Sequence, residues 1–196
     1  MQKPFSQACE NNKQPIVEIL QHTFSGCKTI LEVGSGTGQH AVHFAEMLPQ
    51  LSWQTSDLEE NHPGINLWLD ESSAKNLLRP LTLDFSKPWP LTLVDGIFTA
   101  NTLHIVSFPL VEAFFKGVGR HLNPHGILCL YGPFKYNHQF TSPSNAQFDL
   151  WLKNIESSRG IRDIEKVIAL ANNEGLVLTK DFDMPANNQL LVFKRQ

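Results

Sequence analysis

The chain has 196 residues, enough for one α/β domain with a buried core and too few for two ordinary domains, and 41% of them are hydrophobic. Its formal net charge is -3 with no lysine or arginine block, so it gives no sign of the concentrated basic surface that displaces counterions from nucleic-acid phosphates. Cys9, Cys27 and Cys129 form no CxxC pair, residues 1–12 are polar, and no apolar run approaches the roughly 20 residues that span a bilayer, so a single cytoplasmic domain without a membrane segment is expected.

Pro15 opens a helical pattern in which Ile16, Val17, Leu20 and Phe24 share a face, and Gly26 ends it. Residues 29–33 read as a buried strand that runs straight into a glycine cluster. A helix follows over 39–48, with Ala41, Phe44, Ala45 and Leu48 on one face, and Pro49 stops it. A second strand over 51–56 ends in Asp57. After a polar, weakly helical stretch, residues 80–83 make a third strand leading to Asp84. The fourth, over 95–99, ends in Ala100-Asn101-Thr102-Leu103-His104. A helix from Pro109 to His121 and a fifth strand over 126–131 complete an alternation that predicts a parallel sheet covered on both faces.

The last third differs. Ser144-Asn145-Ala146-Gln147 has the form of a capping box, opening a helix that holds Phe148, Trp151, Leu152 and Ile155. That aromatic stripe reads as core packing or pocket wall. A second helix starts near Ile161 and stops at Gly175. Two strands, 176–182 and 189–193, are joined by a link too short for a crossover, so they pair antiparallel or leave the sheet.

Glu32-Val33-Gly34-Ser35-Gly36-Thr37-Gly38 lies where the first strand passes into a helix. Glycines there allow φ > 0 and close approach of a ligand, and the helix N-terminus favours a phosphate or a carboxylate. The dinucleotide fingerprint G-x-G-x-x-G needs glycine at position 39, where Gln39 stands, and this disfavours a nicotinamide-dependent oxidoreductase. The G-x-G-x-G spacing, with Glu32 before it, resembles the first motif of class I S-adenosylmethionine-dependent methyltransferases. The resemblance implies a Rossmann-like seven-stranded sheet, mostly parallel with an antiparallel C-terminal hairpin and helices on both faces. It implies that S-adenosyl-L-methionine, and its product S-adenosyl-L-homocysteine, bind at Glu32, Gly34, Ser35, Gly36 and Gly38. It further assigns Asp57 to the ribose hydroxyls and Asp84, with Phe85 beside it, to the adenine; Asn101, just after the fourth strand, is expected to line the cofactor pocket through its amide.

Glu10-Asn11-Asn12-Lys13-Gln14-Pro15-Ile16, Gly36-Thr37-Gly38-Gln39-His40-Ala41, Tyr131-Gly132-Pro133-Phe134 and Met184-Pro185-Ala186-Asn187-Asn188 together are similar to one small family. It is known as domain of unknown function 938, or the methyltransferase-like 26 group. The match runs nearly end to end, across 1–196 as one domain, and implies cofactor binding without a known acceptor. Residues 1–25, with Glu10 and Asn12, are expected to cover the cofactor.

Methyl transfer needs alignment, exclusion of water and, for an O or N acceptor, a general base. His104 is the first candidate for base or acceptor-orienting group, with Tyr131 second and Lys135 and Tyr136 as pocket-shaping neighbours. His40 and His43 lie three apart on a helix but have no third ligand nearby, so no metal is expected. The fourth strand lacks a [DN]-P-P-[YF] signature and no cysteine follows a proline. A small-molecule acceptor is therefore expected. A protein acceptor, a non-catalytic adaptor of the same fold and the oligomeric state stay open.

Overall fold

The computed structural model describes residues 2–196. It begins with helix α1 (Gln7–Thr23), followed by β1 (Thr29–Val33), α2 (Gln39–Met47), β2 (Ser52–Asp57), α3 (His62–Glu71) and β3 (Leu77–Thr82). Next come β4 (Val94–Ala100), α4 (Phe108–His121), β5 (Leu122–Gly132) and the short β6 (Phe134–Tyr136) and β7 (Gln139–Phe140). Helix α5 (Pro143–Ile155), β8 (Arg162–Asp163), α6 (Ile164–Asn173), β9 (Leu176–Met184) and β10 (Asn188–Arg195) complete the chain.

Seven strands form one sheet in the order β3-β2-β1-β4-β5-β10-β9. The first five of these are parallel to their neighbours, and β10 runs antiparallel to both β5 and β9. This is the expected sheet, with the reversed hairpin at its edge. Because side chains alternate across a strand, it makes two cores. Ile30, Phe98, Cys129, Leu190 and Val192 point to one side and pack with α1 and α2. Their neighbours Leu31, Ile97, Leu128, Leu130 and Leu191 point to the other and pack with α4 and α6. Chain order reverses between β1 and β4, so a crevice opens there at the C-terminal strand ends.

Several boundaries differ from expectation. Helix α1 starts eight residues before Pro15, because the Ser6 side chain accepts the Cys9 N–H and caps it at Gln7. Pro15 lies inside the helix, which burial of Ile16, Val17, Leu20 and Phe24 holds together across the missing donor. The stretch before β3 is a full helix, α3, anchored by buried Ile65 and Leu69. The cap of α5 is Ser142, whose Oγ accepts the Asn145 N–H at 3.1 Å, and not Ser144. Helix α6 begins at Ile164, since Arg162 and Asp163 pair with β6 in a three-stranded sheet that has no sequence signature. Ile155 and Trp151 are exposed, so the aromatic stripe is not core.

One glycine shows how tightly the second core is filled. A Cβ on Gly117 of α4 would lie 2.3 Å from Cζ2 of Trp89. Gly117→Ala is expected to cost about 1–3 kcal/mol by overpacking. Thermal denaturation should show a midpoint lowered by roughly 2–12 °C. Among the described residues, no helix is long and apolar enough to cross a membrane.

Candidate active site

The crevice at the chain reversal is a cavity of about 1040 Å³. On one side stands the turn between β1 and α2, where Gly34, Gly36 and Gly38 all have positive φ. They do different work. A Cβ at Gly36 would meet nothing within 4 Å, so its backbone faces open space in the cavity. A Cβ at Gly34 would lie 2.9 Å from Thr102 Oγ1, and one at Gly38 would press on Ile65 and Trp68 of α3 at 3.3 Å. Gly38 therefore lets α3 approach α2 and does not line the cavity.

Glu32 does not line it either. Its carboxylate lies behind the turn, where Oε2 accepts Ser35 Oγ at 3.0 Å and Trp53 Nε1 at 3.1 Å. Burial pushes its pKa up to about 7, against those two hydrogen bonds, which lower it. Ser35 lines the cavity and also donates its backbone N–H to the Ser56 carbonyl, tying the turn to β2.

Asp57, at the end of β2, sits on the rim. Its Oδ2 accepts the Gly36 N–H at 2.7 Å, and Oδ1 accepts the Leu58 N–H and Asn61 Nδ2, each at 2.7 Å. Oδ2 keeps a lone pair for a further donor. Asp84 is held beside it by the Ser86 N–H and hydroxyl, bonds that lower its pKa below the usual carboxylate value. Phe85 lines the same wall and packs on Phe114 and Trp89.

The opposite wall comes from the ends of β4 and β5. Asn101 takes a left-handed conformation (φ 57°) and donates its N–H to the Tyr131 carbonyl at 2.9 Å. This turns the chain so that Thr102 and His104 face inward. His104 is 5% exposed, and its ring nitrogens hydrogen-bond no other described residue. Burial, with the Arg162 charge in support, lowers its pKa to about 4, so the imidazole is neutral at pH 7. Arg162 fixes the His104 loop by donating to the carbonyls of Leu103, Val106 and Ser158. Tyr131 is buried near Asn12 and Asn188, and burial raises its pKa.

The N-terminal segment forms the roof. Ser6, Cys9, Asn11 and Asn12 line the cavity. Gln39 of α2 ties them down, accepting the Ser6 N–H at 2.6 Å and donating to Glu10 at 2.6 Å. Asn12 Oδ1 meets His40 Nε2 at 2.6 Å, and the Pro4 carbonyl accepts Trp68 Nε1. His40 stacks on Phe44 and is bound to Asn12; among the described residues no group of three potential metal ligands occurs. Lys135 and Tyr136 do not shape this cavity: Lys135 pairs with Asp163 and Tyr136 donates to Asp181.

Comparison with known proteins agrees with this architecture. The profile of a family described as "Protein of unknown function (DUF938)" matches residues 3–195. The chain belongs to the DUF938 family. Its fold is that of class I S-adenosylmethionine-dependent methyltransferases, as similar solved structures show. An O-methyltransferase family protein from Burkholderia thailandensis superposes with a TM-score of 0.83 at 15% identity, over 94% of this chain and 56% of that one. An O-methyltransferase family 2 protein from Planctomyces limnophilus, solved with apigenin, gives 0.81 at 17% identity, over 95% and 58%. The O-methyltransferase NcsB1 from neocarzinostatin biosynthesis, solved with S-adenosylmethionine and 2-hydroxy-5-methyl naphthoic acid, gives 0.79 at 14%, over 96% and 55%. The DUF938 chain thus spans little more than half the length of these proteins.

Much of the DUF938 cavity wall has no motif. Ile105, Val106, Leu110, Asn145 and Phe148 come from loops and helices whose apolar pattern is that of ordinary packing. Cys9 and Asn11 needed the earlier start of α1 to be placed at all.

The buried titratable groups of the DUF938 protein make its stability pH-dependent. His40 and His104 have folded pKa values of about 4 against an unfolded 6.5, so the unfolded chain takes up their protons first and stability falls as pH drops through that window. His43, lowered mainly by burial, acts in the same sense. Glu32, raised to about 7 from 4.5, acts oppositely, since the folded chain is protonated first. His40 and His104 against Glu32 alone leave a loss of about 1.4 kcal/mol per pH unit between pH 6.5 and 4.5, to which His43 adds. Glu32→Gln removes the offset and should steepen the slope to about 2.8 kcal/mol per unit in urea unfolding.

Proposed function

We infer that the protein is an S-adenosylmethionine-dependent methyltransferase acting on a hydroxyl or amine of a small molecule. One juxtaposition supports this most: a single cavity holds the open Gly36 turn and the Asp57 and Asp84 carboxylates on one wall, with neutral His104 on another. The residues present fit the cofactor. The backbone at Gly36 leaves room for its methionine end, at the N-terminus of α2, which no side chain caps. Asp57 Oδ2 accepts one ribose hydroxyl with its remaining lone pair, while Asp84, Phe85 and Asn101 flank the rest. Asn12 and the α1 segment cover it. Glu32 acts from behind, by positioning Ser35.

The cofactor, when bound, supplies an electrophilic methyl group. The protein's part is to align the acceptor and handle its proton. The acceptor hydroxyl donates to a ring nitrogen of His104, and its acidity rises as the new bond to carbon forms. A weak base is then sufficient to receive the proton. Tyr131, a neutral phenol, stays a donor and orients a polar group of the acceptor. The roof excludes water, which would otherwise compete for the same hydrogen bonds.

Thermal melting tests the cofactor half. A ligand at about 100 times its Kd should raise the midpoint by roughly 5–10 °C. S-adenosylmethionine and S-adenosylhomocysteine are expected to do so and NAD is not; stabilisation by NAD alone would reject the reading. A radiolabelled-methyl screen of metabolites and cell extract tests the catalytic half. No labelled product in the presence of tight cofactor binding would reject enzymatic transfer.

A further inference from the structure

Beyond His104 the cavity wall changes character. Phe148 meets the His104 ring edge-on, with centroids 5.3 Å apart. Trp151 stacks on Phe148 at 5.7 Å, the planes 17° apart. Trp151 is 56% exposed, so aromatic surface continues from His104 out to solvent. Such a strip offers flat, apolar contact to a ring and little to a flexible polar chain.

Among the described residues, no carboxylate, lysine or arginine lines that half. The only carboxylates lining the cavity are Asp57 and Asp84, both on the cofactor side, and no lysine or arginine lines it among the described residues. Three cations of the adjoining elements are already engaged. Lys153 pairs with Asp149 at 2.6 Å, Lys135 pairs with Asp163 at 3.6 Å, and Arg162 is bound to three backbone carbonyls. An anionic acceptor would lose its hydration here and meet no cationic side chain on the wall to pair with, the Arg162 charge reaching it only at a distance.

Asn145 adds one directed group. It is 6% exposed and lines the cavity from the first turn of α5. Its Nδ2 donates to Thr141 Oγ1 and to the Asn187 carbonyl, both at 2.9 Å. A backbone carbonyl only accepts, so these bonds fix which end of the amide is nitrogen. The oxygen, Oδ1, accepts from no described group and remains available to a ligand donor.

We propose that the acceptor is an uncharged planar ring system with the methylated hydroxyl at one end and a hydrogen-bond donor at the other. The ring lies along Phe148 and Trp151, and the donor meets Asn145 Oδ1. The hydroxyl oxygen gains the methyl carbon as the carbon–sulfur bond breaks, the electron pair stays on sulfur, and the hydroxyl proton passes to His104. This rests on the methyl-transfer reading above.

Titration calorimetry of the full chain with S-adenosylhomocysteine present tests it with three probes. They are 5-hydroxyindole, its donor-free analogue 5-hydroxybenzofuran, and 5-hydroxyindole-2-carboxylate. The indole is expected to bind about threefold to tenfold tighter than the benzofuran, the effect of one hydrogen bond. It should bind at least about tenfold tighter than the carboxylate, which has no partner for its charge. Trp151→Ala, at an exposed position, should weaken both uncharged probes about tenfold. Ile105→Lys places a cation at the mouth and should strengthen the carboxylate probe alone. Equal or tighter binding of the carboxylate by the wild-type chain, or no binding of the uncharged probes at millimolar concentration, overturns the proposal and leaves the cofactor reading intact. Failure of S-adenosylhomocysteine itself to bind overturns both.

Discussion

His104→Ala is expected to lower kcat for methyl transfer to a hydroxyl acceptor by about 10²–10⁴-fold, the range for removing a positioned general base. Cofactor affinity should stay near that of the wild type, because the Gly36 turn, Asp57 and Asp84 lie on the other wall. The pH profile separates a base from a packing residue. With its pKa lowered to about 4 by burial, His104 is already deprotonated at pH 5, so the wild-type rate should be flat from there to neutrality. In the alanine variant only the ionised fraction of the acceptor reacts, and the rate should climb tenfold per pH unit toward the acceptor's own pKa. His104→Gln keeps roughly the volume beside Phe148 and a polar side chain while removing the basic nitrogen. If it retains the wild-type rate and profile, His104 is a wall and not a base.

How far the sequence could reveal this site depends on what each residue does. Gly36 and Asp57 were legible because their tasks demand particular residues at particular places: positive φ in a turn, and a carboxylate where a strand ends. The sheet was legible for a similar reason, since burial on both faces of β4, β5 and β10 leaves runs of Ile, Leu, Val and Phe. Glu32 and Gly38 belong to the same motif but have other partners. Glu32 braces Ser35 and Trp53, and Gly38 admits α3. A motif records which residues a turn needs, without separating those that touch a ligand from those that shape the turn.

The roof and the far wall were less legible. Pro15 looked like a helix start because proline is favoured there, yet Ser6 supplied an earlier cap and the buried face kept the helix intact around the ring. Lys135 and Tyr136 lie close in sequence to Tyr131, but the turn after Gly132 sends them into the small sheet, where Asp163 and Asp181 hold them. Asn145 has no sequence signature at all. Its role follows from two acceptors, Thr141 and Asn187, of which the second is 42 residues away.

Asp57→Ala is expected to weaken S-adenosylmethionine and S-adenosylhomocysteine binding by about 10–100-fold, since hydrogen bonds to a charged group contribute about 1.5–3 kcal/mol. Two effects combine. The ribose loses its acceptor, and the turn loses the Oδ2 bond that holds the Gly36 N–H. They are separable by adenosine, which has the ribose without the methionine end: if ribose recognition dominates, adenosine affinity falls as steeply as that of the full cofactor. If Asp57 acts chiefly by holding Gly36, adenosine is spared and only methionine-bearing ligands weaken. The apo chain should melt only a few degrees lower, because the Gly36 and Leu58 N–H groups at this rim can turn to water. Unchanged affinity in calorimetry would remove Asp57 from the binding site. With it would go the reading of this wall as a cofactor cradle, because no other carboxylate meets the turn from the cavity side: Glu32 braces Ser35 from behind, and Asp84 is held by its own Ser86 loop.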